Sequence, residues 1–403
     1  MAHGCVYACP CCQIHGRQTG VLENPGKRAI MHNGDKDFDS SDEPVLSRRG
    51  FLSVSAAASG LAALALSACG SQESSSDNTS NETNTSSDTH TVTDMGATEV
   101  ELPTEITKYA DGWYAHNEVS IMFNQAEGMV ATHCDPTSYP WMYKIAPNMN
   151  QATTMFGTDF NYEGLVALEP QVVFDSTDNL RDKLASANIP LVNCTFKTFD
   201  EMKQSIELTG EVFGGDAPDL ATKYNDELDQ VLSDVQELTD ALTDDERPSV
   251  LHGNSFYTLT LDGTGTIIDD WIKVGGGKNA NTESTTGNAQ ATFSLEQVIG
   301  WNPDVIITGK PAEVDEILSD SSWADINAVK NKQVYVNPKG VFGWDRYGIE
   351  ELLQVQWAAA TLHPDLFSDL NINEKVHDFY ATYLNYDLSD DEIALILAAK
   401  NPE

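Results

Sequence analysis

Apolar positions recur in two rhythms along this chain. Short β-branched runs alternate with longer stretches in which apolar side chains return every three or four residues. The runs Gln171-Val-Val-Phe174, Pro190-Leu-Val-Asn193, Asp304-Val-Ile-Ile307 and Gln333-Val-Tyr-Val-Asn337 are apolar on both faces, as buried parallel strands are. Two of them belong to a repeated plan. Glu163-Gly-Leu-Val-Ala-Leu-Glu-Pro170-Gln-Val-Val-Phe174 and Glu296-Gln-Val-Ile-Gly-Trp-Asn-Pro303-Asp-Val-Ile-Ile307 each place a glutamate before a short apolar helix. A proline follows seven residues later, then a strand. Proline cannot continue the helix, and it pushes its neighbour into extended backbone. Helical stretches follow at 178–187 and 311–319. Strand and helix alternating in both halves predict two α/β lobes of similar topology.

Between the echoes lies one long helical pattern. Leu220, Tyr224, Leu228, Val231, Val235, Leu238 and Leu242 form a single apolar face. Asp216 stands at the N-cap, Pro218 falls in the first turn, and the pattern ends before Pro248. Roughly 28 residues at ~1.5 Å rise give a rod of about 40 Å. The expected division is an N-terminal lobe at 101–215, a connecting helix at 216–247 and a C-terminal lobe at 248–403.

The first hundred residues read differently. Ser47-Arg48-Arg49-Gly50-Phe51-Leu52 precedes a small, apolar run that stops at Leu66-Ser67-Ala68-Cys69. A charged segment, a short apolar segment and a small-residue cleavage point form an export signal. The arginine pair resembles the twin-arginine signal, and Leu-Ser-Ala-Cys resembles a lipobox. Residues 1–68 are therefore expected to be a leader, with lipid on Cys69. Cys5, Cys9, Cys11 and Cys12 lie far upstream, and a translation start at Met31 would account for them. From Cys69 to about residue 100 the chain is expected to be a polar tether, too poor in apolar residues to offset the entropy of ordering.

Charge narrows the partners. The 403 residues carry a net charge of −39, and residues 1–68 contribute none of it, holding six Lys/Arg and six Asp/Glu. Such a surface repels nucleic acid and anionic lipid headgroups. Past the leader and Cys69 the remaining cysteines are Cys134 and Cys194, which suit either one extracellular disulfide or two buried thiols. No Gly-rich phosphate loop, Gly-x-Ser-x-Gly elbow or cluster-binding cysteine set is present, which argues against an enzyme.

Together these features resemble the helical-backbone class of ABC-importer substrate-binding proteins, the family for iron-siderophore, haem and cobalamin uptake. Val274-Gly-Gly-Gly-Lys-Asn-Ala280, Phe293-Ser-Leu-Glu-Gln297 and Trp323-Ala-Asp-Ile-Asn-Ala-Val-Lys-Asn-Lys-Gln-Val-Tyr335 match its second lobe. The resemblance covers about residues 101–386 and is strongest from 250 to 365. In the first lobe the aromatic-rich segment Trp113–Tyr143 stands where the family's opening strand and turn are expected. The resemblance implies two Rossmann-like lobes joined by one rigid helix, with a ligand cleft between them. It implies an iron complex (ferric siderophore or haem) or a corrinoid as cargo, and no other cofactor. A molybdate or tungstate oxyanion and a chelatase-like enzyme are the alternatives. It also implies a lipid-anchored protein outside the cytoplasm, working with a permease dimer and its ATPase. Glu163 and Glu296, one per lobe, would meet arginines on the two permease subunits.

In open α/β sheets ligands sit beyond the carboxyl ends of the strands. The first-lobe candidates are then Trp113, Tyr114, His116, His133, Tyr139, Trp141 and Ser176. Those of the second lobe are His252, Asn254, Phe256, Tyr257, Lys310, Trp344, Asp345 and Arg346. Arg346 is one of three arginines after Cys69 and lies in Gly343-Trp-Asp-Arg-Tyr-Gly348. A planar cation among aromatics suits a carboxylate, phosphate or oxyanion, or else an ion pair with Asp345. His116 and His133 are iron-ligand candidates or structural histidines. No tightly spaced His/Asp/Glu group for a bare metal ion is evident.

Overall fold

The computed structural model describes residues 89–157, 160–285 and 291–403. The twin arginines, Cys69 and the upstream cysteines lie outside the described residues.

Order begins earlier than the linker at 69–100 implied. Strands β1 (Thr89–Thr93) and β2 (Glu99–Pro103) form an antiparallel hairpin. Val92, Val100 and Leu102 alternate inward while Thr and Glu side chains face out. The hairpin is held to the first lobe through Asp94, which pairs with Arg181 and accepts the Asn193 N–H at 3.1 Å.

The first lobe is built on a five-stranded sheet, β3 (Tyr109–Asp111), β4 (Met129–Thr132), β5 (Thr153–Thr154), β6 (Val172–Asp175) and β7 (Leu191–Asn193). Its order is β5-β4-β3-β6-β7, and every pairing is parallel. The helices are α1 (His116–Met122), α2 (Pro140–Ile145), α3 (Tyr162–Ala167), α4 (Arg181–Ala185) and α5 (Phe199–Phe213). The aromatic segment does not replace the opening strand and turn. The strand is β3, at the centre of the sheet, too short and too polar at Asp111 to show as an apolar run.

The connecting helix α6 runs Ala217–Thr239, shorter than the 216–247 expected. Pro218 sits in its first turn; Asp216 occupies the N-cap, but its side chain makes no capping bond. Beyond Thr239 the chain turns, and Thr243 caps a separate short turn at Asp244–Glu246. Tyr224, Leu228 and Val235 are buried, whereas Leu238 is 40 % exposed. The helix lies against α5 of the first lobe and against the second-lobe helices at Ile267–Val274 and Glu351–Leu362.

The second lobe contains β8 (Ser249–Ser255), β9 (Thr260–Leu261), β10 (Lys278–Asn279), β11 (Ala291–Thr292), β12 (Val305–Thr308) and β13 (Val334–Val336). Its order is β11-β9-β8-β12-β13, with β10 also pairing β8. The pairings among β10, β8, β12 and β13 are parallel, while β9 turns back antiparallel. Around it lie α7 (Ile267–Val274), α8 (Leu295–Trp301), α9 (Pro311–Ser319), α10 (Asn327–Lys330) and α11 (Glu351–Leu362).

The chain then recrosses. Helix α12 (Ile372–Tyr383) packs against α11 and reaches α6, whereas α13 (Asp390–Leu397) and the residues after it leave the second lobe, which the 248–403 boundary did not foresee. The Tyr383 hydroxyl donates to Glu227 on α6, Glu392 pairs with Lys144 on α2 at 2.9 Å, and Trp141 Nε1 donates to the Lys400 carbonyl at 2.8 Å. No helix among the described residues is long and apolar enough to cross a membrane.

Candidate ligand-binding cleft

The carboxyl ends of β8, β12 and β13 deliver Asn254, Gly309–Lys310 and Asn337–Lys339 to one side of a cleft of about 340 Å³. The loop leading toward α11 adds Phe342, Gly343, Asp345 and Arg346. The first lobe supplies Tyr114, just past β3, and Tyr139, just before α2. Lobe 1 thus contributes two phenols, and lobe 2 contributes three cations and two carboxamides.

The aromatic contacts close one side. Phe342 lies against Tyr114 (centroids 5.5 Å apart, planes 30° apart) and against Tyr139 (6.0 Å, 19°), so a side chain of the second lobe stacks on two of the first. Lys339 is half-buried. Its ammonium donates to the Ser138 carbonyl at 3.3 Å and sits 5.4 Å from the centre of the Tyr139 ring. Burial, and then the neighbouring Lys310 charge, push its pKa below the usual lysine range. The Lys339 N–H donates to the Ile396 carbonyl on α13, so the recrossing segment also braces this loop.

Beneath the cleft lies an alternation of charge. Arg346 Nε donates to Asp345 Oδ2 at 2.7 Å, and its Nη2 reaches Asp262 Oδ2 at 3.4 Å. His252, wholly buried, places Nδ1 2.8 Å from Asp262 and Nε2 3.3 Å from Asp345, the second contact poorly aligned for a hydrogen bond. Burial alone would raise the Asp345 carboxyl, but the Arg346 charge and the contacts from His252 hold it well below the usual range. Burial opposes protonation of His252, yet its bonds to Asp262 and Asp345 outweigh that and raise its pKa.

Of the sequence candidates, Tyr114, Tyr139, Asn254, Lys310, Asp345 and Arg346 line the cleft. The rest need correction. Trp113 is buried at the lobe seam against Phe196 and Tyr347. His116 is sealed in the core between Asp111 (2.8 Å) and Thr209 (2.9 Å). Trp141 is fixed by Lys400, and Trp344, fully buried, donates to Glu350 at 2.8 Å. His252 acts behind the cleft surface rather than on it. Phe256 packs edge-on against Trp323 in the second-lobe core, and Tyr257 faces solvent beside a separate groove. Ser176 is not part of the lining, and His133 stands behind Tyr114, edge-on at 5.1 Å. Cys134 and Cys194 are two buried free thiols. Among the described residues no group of three His, Cys, Asp or Glu could hold a metal ion. Sequence reasoning missed Asn337, Lys339 and Phe342. The strand-end rule that found Lys310 after β12 points equally to Asn337–Lys339 after β13.

Two α/β lobes, a single connecting helix and a polar cleft between the sheet ends give the architecture of a ligand-capturing protein. The chain belongs to the periplasmic binding protein family, whose pattern matches residues 129–340. It is 29% identical over 283 residues to the molybdate-binding protein MolA of Haemophilus influenzae, covering 62% of this chain and 78% of that one. It is 26% identical over 324 residues to the uncharacterized ABC transporter substrate-binding lipoprotein YvrC of Bacillus subtilis, covering 77% and 96%. A solved periplasmic solute-binding protein from Veillonella parvula superposes with a TM-score of 0.66 at 26% identity, covering 77% of this chain and 97% of that one.

Proposed function

We propose that the chain is the substrate-binding component of an ABC importer and that its cargo is a small oxyanion of the molybdate or tungstate class. One observation carries the choice of cargo: Lys310, Lys339 and Arg346 converge on one polar cleft in a protein of net charge −39. Cations gathered against that background single out a site for an anion. The carboxamides of Asn254 and Asn337 and the hydroxyls of Tyr114 and Tyr139 supply further polar groups for anion oxygens. The similarity to a molybdate-binding protein points the same way. A haem or corrinoid needs a broad apolar slot for its macrocycle, and the Phe342 stack takes the one apolar wall available. Haem and a corrinoid, among the first expectations from the sequence, are therefore less well served by this lining, and a ferric complex is separated from the oxyanion by titration.

Isothermal titration of the purified protein with molybdate, tungstate, haemin, cyanocobalamin and a ferric catecholate tests the reading. Saturable one-to-one binding of molybdate or tungstate, with silence from the macrocycles and the ferric complex, is expected. Binding of haemin, cyanocobalamin or the ferric catecholate without oxyanion binding would overturn it. Export by the twin-arginine route and a lipid on Cys69 complete the proposal. Cys69→Ala is expected to move the protein from the membrane fraction to the soluble one, and retention in the membrane fraction would refute the anchor.

A further inference from the structure

We propose that the cleft is charge-matched to a doubly charged anion and that Lys310 and Lys339 set this preference. The inference rests on the oxyanion reading and sharpens it. Arg346 is ion-paired with Asp345 and Asp262, the same two carboxylates that His252 contacts from behind. A bound anion therefore finds Arg346 already engaged by carboxylates. The lysines differ. Among the described residues neither Lys310 nor Lys339 has a carboxylate within ion-pair distance, although the chain after Cys69 carries 56 acidic side chains. Two uncompensated positive charges thus remain on one lining.

Their mutual effect is visible on Lys339, which loses basicity through burial and through the Lys310 charge. The other groups that act on its ammonium are Asp345 on the same loop, Glu350 at the start of α11 and the Cys134 thiol of the first lobe. These act in the opposite sense to Lys310. A dianion at the cleft offsets both lysine charges. A monoanion of the same shape leaves one positive charge unmatched in a partly desolvated setting, where such an imbalance is least screened. Dianion binding is accordingly expected to bring Lys339 back toward an ordinary lysine, with proton uptake at alkaline pH.

Molybdate and perrhenate provide the test, since both are tetrahedral oxyanions and they differ by one charge. The purified protein is titrated with each at neutral pH and low salt, alongside Lys310→Met and Lys339→Met. Molybdate is expected to bind on the order of ten- to a hundred-fold more tightly than perrhenate, the worth of one charge-assisted contact. Each Met variant should weaken molybdate more than perrhenate and shrink that ratio. Lys339→Arg, which keeps the charge, should restore it, and unchanged melting temperatures would show that folding is not the cause. Equal binding of the two anions by the unaltered protein, or a ratio unchanged in both Met variants, overturns the charge match while leaving the oxyanion reading intact. Binding of neither anion, with uptake of haemin or cyanocobalamin instead, removes both.

Discussion

At position 346 the two roles open to the arginine in sequence turn out to coexist. The guanidinium lines the cleft and is also clamped by Asp345 and Asp262, with His252 bridging the same two carboxylates from behind. The arrangement is a buried network, and breaking one partner leaves uncompensated charge. Asp345→Asn would leave Arg346 and His252 sharing one carboxylate, at a cost on the order of 3–5 kcal/mol. Urea unfolding of the variant measures this, and a loss below about 1 kcal/mol would show that the network is not a structural anchor. The pH dependence follows from His252. Its folded pKa is raised, so its contribution is fully present below the unfolded value of ~6.5 and is lost as pH rises through the folded value. His252→Gln should flatten the unfolding midpoint over that window. Residue-level legibility followed the same logic. Asn254, Lys310 and Arg346 were readable because polar side chains just past a strand or in a loop have few structural reasons to be there. Trp113, Trp141, Trp344 and His116 were not, because nothing in sequence marks whether a ring near a strand end faces the cleft or the core.

Among the elements, the seam between α1 and the start of α11 joins the lobes through buried carboxyls. Glu118 on α1 is wholly buried, and its carboxyl faces Glu350 and the backbone N–H groups of Ile349 and Glu350. A Cβ at Gly348 would overlap Glu118 Oε2, so only glycine allows this approach. Glu350 in turn accepts from Phe342 N–H (2.9 Å), Trp344 Nε1 (2.8 Å) and the Tyr380 hydroxyl, which ties the seam to the cleft loop. Burial, and then the Glu350 carboxyl, raise the pKa of Glu118; burial raises that of Glu350, against the contacts it accepts. For such groups stability is full below the unfolded carboxyl value of ~4.3 and falls as pH rises through the folded values. Glu118→Gln, neutral at every pH, should therefore unfold at a higher temperature than the unaltered protein at pH 8, and the gap should close toward pH 5. Gly348→Ala should be destabilising at both. A Glu118→Gln melting curve that tracks the unaltered protein across this range would show that the carboxyls do not share the seam as described. The strands β6, β7, β12 and β13, the repeated helix and break, and the connecting helix were legible because each carries its own apolar pattern, which β3, ending at Asp111, lacks. The seam, the hairpin β1–β2 and the recrossing helix were not, since long-range pairing leaves no local signature.

On the scale of the whole molecule, three connections restrain the lobes: α6, the Glu118–Glu350 seam and the return of α13 to the first lobe. We propose that the repeated plan marks where the outer surface of this protein meets the permease of an importer. Glu163 opens α3 after the Asn161 cap, and Glu296 opens α8 after the Ser294 cap; both are exposed in the first turn. An acid in a first turn is favourable to the helix dipole by ~0.3–1 kcal/mol, which accounts for either residue alone. It does not account for the same step in both lobes, each followed by the same break and parallel strand. An importer with two equivalent permease subunits needs two equivalent contacts, and one acid per lobe provides them. Charge pairs of this kind fix orientation and speed encounter more than they add affinity. Replacing Glu163 and Glu296 together with Lys should thus leave molybdate titration unchanged and lower the melting temperature only slightly, by the lost helix-dipole terms, while ligand uptake by intact cells fails. Either single replacement should slow uptake without abolishing it. Uptake at the unaltered rate by the double variant would remove these glutamates from the docking surface, whatever the cleft is found to bind.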